Sequence, residues 1–209
     1  MKKLAISSIV CLAMAATAFG QGAITYTAGT FGRIYDDPSI VSPGNYTGIP
    51  NSAGTPIPGG QNYRAQIFGY NPNTSSWVPL ANSVGQSPTF DFQSSPEAAY
   101  GYLSIGADNI RYASWITEAG PLRITIRVWS SGDVYTTWDD AYAAWQSGAN
   151  VRIGEANPVT VTATVGTTPP TSLPNNTLGS FAIVSGVPEP STLALGMLGV
   201  AGLLFFRRK

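Results

Sequence analysis

An all-β fold, a single β-sandwich of jelly-roll or immunoglobulin-like type with one short surface helix, is predicted by three features of this 209-residue sequence. Gly, Pro, Ser, Thr and Asn abound while charged residues are only 11%, a composition that favours turns and half-buried strands over solvated helices. The run PLRITIRVW sets Leu122, Ile124, Ile126 and Val128 against Arg123, Thr125, Arg127 and Trp129, the period of two that puts alternate side chains on opposite faces of a sheet. Short runs of this kind recur along the chain, separated by Pro- and Gly-rich breakers.

Taken in order, AITYTA (residues 23–28) alternates and predicts an early strand at a sheet edge. Residues 36–61 are crowded with Pro and Gly; because Pro cannot donate to a ladder, they predict an extended surface loop and no central strand. NYRAQIFGY follows, with Tyr63, Ala65 and Ile67 on one face and Arg64, Gln66 and Phe68 on the other. WVPL predicts a short edge segment and AAYGYLSI a further strand. For PLRITIRVW the alternation predicts an aliphatic face turned inward and a cationic face turned to water. In TTWDDAYAAWQSG the period changes: Trp138, Tyr142 and Trp145 fall at i, i+4 and i+7. That spacing predicts a short surface helix, capped by Thr137, with Asp139 and Asp140 in its dipole-favoured first turn, ending at Gly148. PVTVTATVG and GSFAIVS predict the last strands.

Both ends read as addresses. Lys2 and Lys3 precede an apolar, Ala-rich run at residues 4–16, followed by small residues up to Gly20, the layout of a secretory signal peptide over residues 1–20. Cys11 leaves with it, so the body, residues 21–186, folds without disulfides. At the other end, Val187, Pro188, Glu189 and Pro190 lead into the uncharged residues 191–206 and then Arg207, Arg208 and Lys209. A helix of 16 residues spans roughly 24 Å against a hydrocarbon core of about 30 Å. Residues 191–206 are therefore a short transmembrane helix, and its basic end snorkels to the cytoplasmic side. The body is then held outside the cytoplasm, as the signal peptide requires.

Without its two ends the chain keeps six arginines, no lysine and ten acids, a net charge of −4. It has no basic surplus for a phosphate backbone, which excludes nucleic acid as a partner. The body has no His and no Cys, which removes Ser-His and Cys-His nucleophiles and the usual zinc sites. No catalytic residue, cofactor or metal ligand set is assigned. Carboxylates are what remains: Asp36, Asp37, Asp133, Asp139, Asp140, Glu118 and Glu155. A glycoside hydrolase needs two of them flanking one bond about 5–10 Å apart, whereas turn and helix-start roles account for them without chemistry. Calcium is the one metal that suits Asp and loop carbonyls, yet no EF-hand spacing occurs. Trp129, Trp138 and Trp145 are the candidates for stacking on sugar rings. Core packing, or a cation–π contact from Arg123 or Arg127 to Trp129, is the competing explanation.

The order Pro188-Glu189-Pro190, Ser191-Thr192, short Leu/Gly/Ala helix and terminal Arg207-Arg208-Lys209 resembles the PEP-CTERM sorting signal. The leader calls for cleavage by signal peptidase, and the resemblance implies transient anchoring in the inner membrane. It also implies handling by an exosortase-type membrane protease, with residues 187–190 as the recognition element. The destination it implies is the cell surface or an extracellular matrix rich in polysaccharide; for the body a structural role and no enzymatic activity are expected, because no motif ties two acids to one cleft. YRAQIFGY, LRITIRVW, the Trp/Tyr/Ala helix, ANPVTVT and GSFAIV also resemble the ectodomains of other proteins with this tail, and no activity comes with them. A carbohydrate-binding module, a calcium-assisted lectin-like binder and a carboxylate-dependent glycoside hydrolase are the alternatives.

Overall fold

A computed structural model describes residues 21–41, 55–57, 62–106, 108–130, 132–166, 169–170 and 172–185. Both terminal addresses, residues 1–20 and 187–209, lie outside the described residues. In chain order the elements are β1 (Gly22–Thr25), β2 (Ile34–Val41), β3 (Thr55–Pro56), β4 (Arg64–Asn71), β5 (Ser76–Pro79), β6 (Asp91–Phe92), β7 (Leu103–Ser104), β8 (Ile110–Ala113), β9 (Gly120–Trp129), α1 (Trp138–Gln146), β10 (Arg152–Glu155), β11 (Val159–Ala163) and β12 (Phe181–Ser185). The protein is thus mostly strands, with several sheets and one short α-helix among the described residues. No described helix is long and apolar enough to cross a membrane.

The main sheet runs β3-β2-β12-β10-β9-β4-β5, and two pairs, β1–β8 and β6–β7, complete the fold. Strand β9 is its axis because the ten residues of the alternating run are long enough to serve two sets of partners. One edge pairs with β4 from Ile124 to Trp129. The other pairs with β11 over Gly120–Ile124 and with β10 over Arg127–Trp129. Between Glu155↔Arg127 and Val159↔Ile124 the β10–β11 side advances one residue more than β9. This one-residue bulge sits at Ala156, Asn157 and Pro158, where the proline has no N–H to lose. Thr125 closes the gap by donating its hydroxyl to the Ala156 carbonyl at 2.7 Å.

The bulge decides which way side chains point. Before it, Ile153 and Glu155 lie on the face shared with Trp129 and Arg127; after it, Val159 and Val161 register with Ile124 and Leu122. On that inner face Ala65, Ile67, Ile124, Ile126 and Ile183 are buried together with Ile24 of β1 and Leu103 of β7. The main core therefore lies between the main sheet and the two small pairs. A second cluster lies on the opposite face, where Trp138, Ala141 and Trp145 of α1 cover Phe68, Trp129 and Ile153.

Four expectations need correction. The outer face of β9 meets water only at its start: Arg123 is exposed, but Thr125, Arg127 and Trp129 are 0%, 7% and 0% exposed, where the cluster that includes α1 covers this face. Residues 36–61 are not all loop, since β2 lies between β12 and β3 and pairs in parallel with β12. Pro38 is tolerated there because pairing with β12 skips from Asp36 to Val41 across a register shift. AAYGYLSI yields only the two-residue β7, preceded by a 3-10 turn at Glu97–Ala99. Strands β8 and β10 formed where the sequence had announced none; each is four residues long, too short for its period to stand out. The helix matches its expectation: the Thr137 hydroxyl oxygen accepts from the Asp140 amide at 3.2 Å, and Gly148 just past its end takes φ +82.

Candidate functional site

The three tryptophans come together, but in a buried cluster. Trp129, Trp138 and Trp145 are 0%, 4% and 6% exposed. Trp129 is wholly enclosed because its indole N–H donates to the Tyr135 carbonyl at 2.7 Å, which satisfies the one polar atom it carries. Trp138, Tyr142 and Trp145 form a ladder along α1, with interplanar angles of 9° and 17°. Packing uses these rings, and none of the three tryptophans offers an open face to a sugar.

Beneath the ladder the Arg127 guanidinium sits 4.5 Å from the Phe68 ring centre and 5.1 Å from that of Trp138. Its Nε donates to Glu155 at 3.2 Å, both side chains being buried. Burial pushes the Glu155 carboxyl above the ordinary glutamate range, and the adjacent Arg127 charge offsets only part of that. The sequence reading put Glu155 among acids for a cleft; the bulge instead aims it at Arg127, 28 residues away. Its position in RIGEA, with small or apolar neighbours, was the only local sign.

The other described acids are exposed or paired with other groups. Asp133, Asp139, Asp140 and Glu118 are exposed, and Asp140 also accepts from the Thr137 hydroxyl at 2.8 Å. Asp36 accepts from the Tyr63 hydroxyl and pairs with Arg152 at 2.7 Å. Asp91 pairs with Arg64, and Asp108 approaches Arg111 at 3.6 Å. Among the described residues no three acids, His or Cys gather as a metal site.

Concave surface occurs elsewhere, where β6 and β7 face two loops. One depression of about 530 Å³ is bordered by Thr27, Gln93, Ser94, Ser104 and Asn109. A second, of about 400 Å³, is bordered by Arg33, Gln93, Tyr102, Asn175 and Asn176. Gln93 borders both, and the Thr27 hydroxyl donates to the Asn175 amide oxygen at 3.3 Å on their common wall. The walls are fixed from below. Gln93 donates its side-chain amide to the Leu103 carbonyl at 3.1 Å and its backbone N–H to the Tyr102 carbonyl at 2.9 Å. On the facing side the Leu173 N–H donates to Thr25, and the Thr30 hydroxyl donates to the Leu173 carbonyl. Neither depression has a carboxylate or a tryptophan among its described lining residues. No periodicity marks these residues, which come from three distant stretches; the polar clusters QSS at 93–95 and NN at 175–176 are their only trace in the sequence.

Compared with known proteins, the chain carries the PEP-CTERM protein-sorting motif, matched over residues 186–209. No curated protein and no solved structure matches it.

Proposed function

We propose, from the sorting motif at the C-terminus, that this chain is an exported protein handled by an exosortase-type membrane protease and delivered to the cell surface or extracellular matrix. Its body, read as a β-sandwich with α1 packed on the outside, serves there as a structural component associated with extracellular polysaccharide and not as an enzyme. The motif supports the export and sorting in this reading. Physical chemistry agrees with it, since Val187 and Glu189 each precede a proline, which disfavours helix there and favours the extended form a protease cleft accepts. Neither depression has a carboxylate among its described lining residues, which favours binding over hydrolysis there, because glycoside cleavage needs two carboxyls flanking one bond in a cleft.

The test is made in a host that contains the sorting enzyme. Wild-type protein released to the surface should lack residues 207–209 by mass spectrometry. Glu189→Ala and Pro190→Ala should be exported yet keep residues 191–209. Intact Lys209 on released wild-type protein would remove the sorting role.

A further inference from the structure

We infer that the paired depressions on either side of Gln93 form a binding groove for a neutral, hydroxyl-rich glycan chain. The inference rests on the polysaccharide association proposed above and gives it a place and a ligand chemistry. Each depression falls in the volume range of small-molecule sites, roughly 300–1,000 Å³, and together they suit several consecutive sugars. The lining matches hydroxyls: amides and hydroxyls both donate and accept, as sugar O–H groups do. One amide hydrogen of Gln93 is committed to Leu103, so the side chain is held in place while its amide oxygen remains an acceptor.

Other ligand classes fit less well. A phosphate-rich chain needs a row of cations, and Arg33 is the one cation among the described lining residues. Arg33 is itself partly committed, donating to the Ala98 carbonyl at 2.6 Å with its guanidinium 5.1 Å from the Tyr102 ring centre. The Arg33–Tyr102 contact fixes both side chains on the wall of the second depression. Asn176 supports the opposite rim from a left-handed backbone position, φ +60, which an amide side chain tolerates better than most. Its N–H donates to the Gly29 carbonyl, tying that rim to the loop after β1.

The experiment uses the full chain in a polyoxyethylene detergent, which carries no sugar headgroup. Probes are neutral hexasaccharides of β-1,4-, β-1,3- and α-1,6-linked glucose, with an oligogalacturonate as the acidic comparison, titrated by calorimetry. Saturable binding of at least one neutral hexasaccharide is expected. Gln93→Ala should weaken it about tenfold, the scale of one polar partner lost in a bound site. Asn176→Gly, which keeps the left-handed backbone accessible, should weaken it in the same direction. Thermal melts that match wild type show that each variant is folded. Three results would overturn the groove: no neutral probe binds, binding is indifferent to both substitutions, or only the acidic oligomer binds in a salt-sensitive, Arg33-dependent way. Because the unprocessed chain is measured, failed sorting leaves this result standing, and failed binding leaves the sorting result untouched.

Discussion

Two buried arginines, one on each side of the main sheet, solve the same problem differently. Arg127 lies on the outer face under α1, and Arg111 lies in the main core, in register with Ile24 of β1. Both are stacked on rings: Arg127 on Phe68, Trp77 and Trp138, Arg111 on Tyr26 at 5.3 Å and Phe90 at 4.9 Å. They differ in how the charge is met. Arg127 has a buried carboxylate, Glu155. Arg111 relies mainly on backbone, donating to the carbonyls of Asp108 and Ile110 at 3.2 and 2.8 Å, while the Asp108 carboxylate is half exposed. A carboxylate partner makes a strong pair that is costly to break and that titrates. Carbonyl partners make a weaker but pH-indifferent one, on the side where Tyr26 and Asn109 also border the groove.

The largest expected effect tests that contrast directly. Arg127→Met leaves Glu155 buried without its cation and should lower unfolding free energy by about 3–5 kcal/mol in urea titrations. Adding Glu155→Leu should restore most of it, because a buried pair is replaced by apolar packing instead of being halved. If the double variant is as unstable as the single one, the unpaired buried carboxylate is not what costs the stability. Arg111→Met strands carbonyls and no buried acid, so its cost should be smaller, about 1–3 kcal/mol. Equal losses at the two sites would erase the distinction.

The smallest effect concerns pH. The folded Glu155 carboxyl holds its proton more tightly than the unfolded one, since burial raises its pKa above the reference value. Its contribution to stability is therefore full below the ordinary glutamate pKa of about 4.3 and is lost as pH rises through the raised folded value. Wild-type stability relative to Glu155→Gln should accordingly fall as pH rises across that window. A difference that is flat, or that grows with pH, would mean Arg127 outweighs desolvation. No matching fall with pH is expected for Arg111→Met, whose buried partners are carbonyls.

What could be read along the chain was whatever a few neighbouring residues determine. Strict alternation over residues 122–129 assigned the inner face of β9, and that of residues 63–68 the faces of β4. Thr137, Asp139 and Asp140 marked a helix start, because capping and dipole effects act within one turn. The sorting motif at the C-terminus was equally local. Tertiary structure alone decided the rest. Polar period-two positions on β9 look solvent-facing until a helix that follows in the chain folds back over them, which is why Arg127 and Trp129 are buried. Glu155 became the partner of Arg127 through a one-residue bulge at Pro158 that no periodicity announces. The groove, too, joins residues near 27–33, 93–109 and 175–180, and side chains so far apart in sequence become neighbours only once strand pairing has closed the loops between them.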